Sequence, residues 1–309
     1  SGKAGDLLNA LTAELGRLSV KVVAGETVVS FVLRDGAAAG VKTSSGIYKA
    51  DAVIFATGGR SYPALSGGAD AYPAAAAAGH TIVTPLPGMT NLVTREEWCG
   101  KCAGIALPDA ESWIDLPGER KRRCRGDLLF TRDGVSAFAV LDHAGRISEL
   151  LQKTDFVPLQ INLFAGRDEA FWREEVARWR RESGKKLAAG LLAEHLPRRL
   201  AEFLLGGDGG IAARMSASQQ NLLIRNLTAL PLTICGTGDW NRAMVTRGGV
   251  ALREVSPRTL ESRLIRGLYF AGEVLNLDGP CGGYNLTWAF SSGRLAGESA
   301  AAALLASNQ

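Results

Sequence analysis

"GEVLNLDGPCGGYNLTWAFSSGRLAG", residues 272–297, holds six glycines, three of them in a turn that runs without a break into a small-residue, helix-forming stretch. The preceding "GLYFAGEV" is an apolar strand that ends on a small residue and a glycine, and "ADAVIFATGG", residues 50–59, has the same design. In doubly wound α/β sheets the carboxyl ends of strands form the ligand crevice, and glycine there lets a ligand approach the backbone. Two such ends imply one shared crevice. The turn Asp278-Gly279-Pro280-Cys281-Gly282-Gly283 delivers the chain to a helix that the pattern starts near Asn285. The free N–H groups of that helix start would face an electron-rich ligand atom. A tight connection with no ligand is the alternative for each turn taken alone.

Around this stretch the chain reads as mixed α/β. Leu7, Leu8, Leu11 and Leu15 predict a helix over residues 5–15. Valine-rich runs broken at Asp35-Gly36 and Ser45-Gly46 predict a small antiparallel meander. The run at 52–56 is apolar on both faces, as in a parallel sheet covered by helices. An alanine-rich helix is expected from near Asp70 to Gly79, and Pro85, Pro87 and Gly88 mark a boundary. Strand-like pieces are expected from there to residue 166, then helical patterns on Phe171, Val176 and Trp179, on Leu187, Leu191 and Leu192, and on Leu200, Phe203 and Leu204.

At 309 residues and 46% hydrophobic, the chain suffices for two or three domains. No apolar run reaches membrane-spanning length, and five scattered cysteines do not suggest a disulfide framework, so a cytoplasmic protein is expected. A net charge of +4 does not by itself call for a polyanionic partner. The local exception, "RKRRCR" at 120–125, reads as a solvated hairpin edge or as a phosphate contact. Cys99 and Cys102 have dithiol spacing without the strand-then-helix context of a redox motif, and no further ligand pair supports a metal. His80, His143 and His195 read as isolated structural residues, with His143 after a strand.

"ATGGRSYP", "LLFTRDGVSAFAVLD" and the stretch from Val245 to Gly297 together resemble the NAD(P)/FAD-dependent oxidoreductases that include the YhiN and BaiN flavoproteins and the aminoacetone oxidase group. The resemblance implies a partial Rossmann-like, glutathione-reductase-like FAD-binding domain with a β-meander at 1–82 and 250–309. It also implies a β-rich, barrel-like insert at 83–166 and 229–249 and a helical lid at 167–228. The cofactor would be FAD, with NAD(P)H as possible co-substrate and a small molecule as substrate. By the resemblance, Val28, Ala56, Thr57, Gly58, Gly59, Gly272, Glu273, Asp278, Gly279, Gly282, Gly283, Tyr284, Asn285 and Leu286 bind the cofactor, with Glu273 near the ribityl chain and residues 282–286 against the ring. Tyr284 and Asn285 are the candidate catalytic side chains, Tyr284 as proton donor or as packing.

Three features depart from the family. No strand and GxGxxG turn opens the chain, so it is expected to be a fragment lacking the ADP-binding unit; "GDGGIA", residues 207–212, follows a helical segment and reads as a loop. Arg132 and Ala137-Phe138 stand where relatives carry His and Gly-Pro, and "SGGADAY", residues 66–72, has fewer glycines than its counterparts. The flow of electrons is open: NAD(P)H to an activated carbon–carbon double bond, or an amine or aminoketone to oxygen. A nucleic-acid-binding module using residues 120–125 and the arginine-rich lid is the non-enzymatic alternative, with nucleic acid not the expected partner.

Overall fold

The computed structural model describes residues 2–64 and 71–307. In chain order the elements begin with α1 (Ala4–Arg17), β1 (Val28–Arg34), β2 (Ala37–Thr43), β3 (Ile47–Lys49), β4 (Val53–Phe55) and α2 (Tyr72–Ala77). Next come β5 (Ile82–Gly88), β6 (Leu92–Thr94), α3 (Trp98–Lys101), β7 (Ala106–Ile114), β8 (Cys124–Phe130), β9 (Gly134–Ser136), α4 (Phe138–Leu151) and β10 (Val157–Asn162). Four helices follow, α5 (Glu169–Glu182), α6 (Ala188–Leu192), α7 (Arg198–Leu205) and α8 (Ala217–Thr228). The chain closes with β11 (Leu230–Thr237), β12 (Val245–Val250), β13 (Leu268–Phe270) and α9 (Tyr284–Ser307).

The result is a Rossmann-like α/β portion joined to a closed six-stranded barrel of order β10-β11-β6-β9-β8-β7. In the α/β portion β1, β2 and β3 form an antiparallel meander. Its first turn has positive φ at both Asp35 and Gly36, the pairing that suits the right-handed twist of a two-residue hairpin. The strands β4 and β13, more than two hundred residues apart in sequence, pair in parallel, with Val53 opposite Leu268 and Phe55 opposite Phe270. Phe31, Phe55, Phe270 and His80 form an aromatic chain through this core, with centroids 5.0, 6.0 and 4.7 Å apart. A second core joins buried residues of the barrel strands, α4 and α5–α8 in one continuous cluster.

Several expectations need correction. The parallel sheet has two strands among the described residues, so Ile54 has no covering layer and is 41% exposed, where burial on both faces was expected. The helix at α1 forms, but none of its residues is buried. Pro85 and Pro87 do not interrupt the chain: they lie inside β5, the strand that leads from the α/β portion toward the barrel, which pairs along one side with β12, and a strand paired on one side tolerates proline. Residues 138–151, expected as strand, form α4, because Val140, Leu141, Ala144 and Ile147 repeat at helical spacing and bury one face. His143 therefore stands on a helix. Cys99 does sit on a short helix after a strand, but both thiols are buried, and burial pushes Cys99 up to about 11. That is the opposite of a reactive dithiol. Asp70 and most of "SGGADAY" lie outside the described residues; the alanine-rich helix is observed from Tyr72.

His80 and His143 are held neutral. Burial lowers both pKa values from 6.5, overcoming Glu254 at 3.4 Å from His80 Nδ1 and the Ser112 carbonyl at 3.2 Å from His143 Nε2. Below about pH 6.5 the unfolded chain takes up protons that the folded one refuses, so stability falls as the pH drops toward each ring's lowered pKa. The expected slope is at most about 1.4 kcal/mol per histidine per pH unit. Urea unfolding at pH 7.5 and 5.5 checks this; a His143→Gln variant with an unchanged slope would remove that ring from the account.

Candidate cofactor site

The two strand ends meet over β12, whose neighbouring side chains point to opposite faces. Thr246 is fully buried and faces the first end: its Oγ1 accepts the Arg60 N–H at 2.7 Å and the Ser61 N–H at 3.3 Å. Its own N–H donates to Glu273 Oε1 at 2.5 Å, and Ser61 Oγ lies 3.5 Å from the same oxygen. Among the described residues Glu273 Oε2 has no partner. A Cβ on Gly59 would fall 2.5 Å from Glu273 Oε1 and closer still to Thr246 Oγ1, so only glycine closes this knot. Gly58, by contrast, faces open space with φ +74°.

Arg247, the next residue, faces the glycine turn. Its Nε donates to Glu149 Oε1 at 2.6 Å, and its Nη1 lies 3.2 Å from both oxygens of Asp278. Gly145 on α4 makes room, since a Cβ there would lie 2.8 Å from Arg247 Cδ. Burial opposes the charge of Glu149, yet Arg247 and Arg146 outweigh it and hold the carboxyl below the usual range. At Asp278 burial wins and pushes the carboxyl up despite Arg247. Asp142, also on α4, accepts the Cys281 N–H at 2.7 Å. A cavity of about 160 Å³ opens here, between Met89, Asp142 and Gly145 on one side and Arg247, Asp278 and Pro280 on the other.

The turn is closed by Asn285, whose Oδ1 accepts the Gly279 N–H at 2.8 Å while Nδ2 donates to the Gly279 carbonyl at 3.0 Å. That amide is occupied by the loop. Gly272 N–H donates to Ser292 Oγ at 2.8 Å, and Trp288 Nε1 donates to the Gly272 carbonyl at 3.1 Å, which seats α9 on the end of β13. Beyond them Gly282 and Gly283 have φ of +123° and +92°, and a Cβ on Gly283 would meet nothing within 4 Å. Among the described residues no acceptor takes the N–H of Asn285 or Leu286 at the start of α9. Tyr284 and Leu286 are 61% and 66% exposed.

The structure thus joins Gly59 with Glu273, and Asp278 with Gly279 and Asn285, through adjacent residues of one strand. Gly272 carries the helix contact. Ala56 and Thr57 are exposed just past β4, whereas Val28 stands at the head of β1 and packs on the α/β core. Thr246 and Arg247 went unassigned in the sequence reading. Their signal was a polar pair in a strand-like run, "VTRGG", and a threonine beside an arginine gives no hint of which faces a ligand until the strand is placed.

The HI0933-like protein Rossmann domain family matches residues 1–299. A 3-dehydro-bile acid delta(4,6)-reductase of Clostridium scindens is 30% identical over 97% of this chain and 74% of its own length. Ribosomal RNA dihydrouridine synthases of Escherichia coli and Haemophilus influenzae are 35% and 31% identical over 78% of this chain, in matches that span 58% of their own lengths. With the family matched over nearly every residue and strand ends, knot and glycine turn in place, the chain belongs to the HI0933-like Rossmann-domain family, a family of flavoprotein-type oxidoreductases.

Proposed function

We propose that the chain binds FAD across the two strand ends and works as a reductase, passing hydride from NAD(P)H to an activated carbon–carbon double bond. The observation that carries this is the start of α9: two unpartnered amides beside Gly282 and Gly283, the latter in open space, after a strand that pairs with a second glycine-rich end. A flat, electron-rich ring fits such a cradle. Residues 58–59, 272–273, 278–279 and 282–286 would hold the cofactor. The free Oε2 of Glu273 is an acceptor for ribityl hydroxyls, and the Asn285 and Leu286 amides with the helix dipole would stabilise negative charge at the ring edge. The cofactor itself supplies the hydride chemistry. Asn285 acts by fixing the turn, and the exposed Tyr284 hydroxyl is the candidate proton donor to the substrate.

The relatives favour the reductive direction over amine oxidation, since one is named a reductase and two are named dihydrouridine synthases, whose product is a reduced uracil ring. They also support a second acceptor reading, a base in RNA in place of a small conjugated ring. Visible absorption after incubation with FAD tests the cofactor assignment, on this chain and on one extended to the length of its relatives. A bound-flavin spectrum that NADPH or NADH bleaches in the absence of oxygen is expected for the extended chain and is lost in Gly283→Val. Colourless protein in both forms would sink the proposal.

A further inference from the structure

The chain carries a charged cleft far in sequence from the strand ends. Arg180 and Arg181 close α5, residues 183–186 turn the chain, and Arg214 ends a short turn of 3-10 helix, Ala212–Arg214. The turn is held by its own backbone: Ser183 N–H donates to the Trp179 carbonyl at 2.9 Å and Lys186 N–H to that of Ser183 at 2.8 Å. Ala212 and Ala213 then donate to the carbonyls of Lys186 and Gly184 at 3.0 and 3.1 Å, which brings Arg214 beside the end of α5. Gly184 permits the approach, since a Cβ there would lie 2.6 Å from the Arg180 carbonyl oxygen and 3.0 Å from Ala213 Cβ.

These residues surround an open cavity of about 660 Å³. Arg181 is paired with Glu182 at 2.8 Å. Among the described residues no carboxylate pairs with Arg180, Lys185, Lys186 or Arg214, and all four are exposed. A second hollow of about 610 Å³ shares Ile211 and Arg214 with the first and is lined also by Gly206, Asp208, Gly209 and Gly210 of the loop that the cofactor site does not use, so it carries one carboxylate. The basic hairpin at 120–125 is different: Arg120 pairs with Asp115 at 2.6 Å, Arg125 with Asp109 at 2.7 Å, and Arg123 lies over the Trp113 ring. The first hollow is lined by five cations against one carboxylate, Glu182, a strong local excess of positive charge.

Four unpartnered cations spread around an open, double hollow suit a row of phosphates better than a single anion, which one or two cations in a closed pocket would satisfy. We propose that this cleft docks the phosphate backbone of an RNA strand, the polyanionic acceptor raised above, at a place separate from the flavin cradle. No aromatic ring lines the cleft, so the contacts position the strand and do not read its bases.

The test needs no cofactor, so its failure leaves the flavin reading standing. Binding of a fluorescein-labelled unstructured RNA is followed by anisotropy between about 50 and 200 mM salt. Neutralising about four phosphates predicts a log–log salt slope near −3, at about −0.7 per phosphate for a single strand. Lys185→Gln/Lys186→Gln/Arg214→Gln should flatten the slope by about 2 and weaken binding at least about tenfold at low salt. Arg120→Gln/Arg122→Gln should change neither. If the triple variant, folded by circular dichroism, binds with the parent's affinity and slope, the proposal is overturned. Displacement of the RNA by an equal concentration of NADPH would also overturn it and assign the cleft to a dinucleotide.

Discussion

Gly59→Ala is expected to abolish FAD binding and to lower the unfolding free energy by about 2–3 kcal/mol, the upper range for overpacking a filled site. The added methyl would have to occupy the space of Thr246 Oγ1 and Glu273 Oε1. Neither can swing aside freely, because the hydroxyl holds the Arg60 and Ser61 amides and the carboxylate holds the Thr246 amide. Relief therefore means moving residues 59–61 and losing hydrogen bonds worth about 1 kcal/mol each. Gly58→Ala is the internal comparison. It faces open space with φ +74°, so it should cost only the left-handed conformation, about 1 kcal/mol. Urea unfolding of both variants, with and without FAD, gives the answer: equal losses would show that the knot yields easily and has no part in fixing the strand ends.

Arg247→Met is expected to cost about 3 kcal/mol at neutral pH, since it strands the partly buried Asp278 and leaves Glu149 to Arg146 alone. Glu149 and Asp278 both face Arg247, and burial already pushes Asp278 up with the arginine present. Without it the folded-state pKa of Asp278 rises further above the unfolded one, while Glu149 keeps Arg146 as its counter-charge. A raised carboxyl destabilises the fold above its folded pKa, and the penalty disappears as the pH falls below the unfolded value of about 4. The gap between variant and parent should therefore narrow from pH 7 to pH 4. Adding Glu149→Gln and Asp278→Asn should restore most of the loss at pH 7. A gap that stays constant with pH, or no rescue, would mean the cost comes from lost packing of the arginine stem.

Much of this was legible in the residues. The hairpin at Asp35-Gly36, the strand at 268–270 and the helix after Gly283 follow from turn chemistry and local periodicity, and they are found where those rules put them. What the sequence hid depends on contacts between distant residues. Ile54 reads as buried because its neighbours are apolar, but its exposure depends on how many strands flank it. The prolines of β5 read as punctuation because nothing local says that one side of the strand carries no ladder. Residues 138–151 read as strand because they follow short strands, although their apolar spacing suits a helix equally well. In the site, the glycines were visible, while Thr246 and Arg247 acquire meaning only when β12 lies between the two strand ends. The hairpin reading of 120–125 holds, with Arg120, Arg123 and Arg125 meeting carboxylates, whereas the cleft of the lid was hidden because its cations come from two segments that backbone hydrogen bonds bring together.

The pairing of β5 with β12 has a consequence for how such a chain can diversify. Everything from the barrel through α8 leaves the α/β portion along one of these strands and returns along the other, with Leu86 opposite Arg247. Entrance and exit are neighbours, so the intervening unit can be lengthened, shortened or exchanged without moving β4 relative to β13. The strand ends become a constant socket, and the excursion on the far side of the ribbon is the exchangeable part.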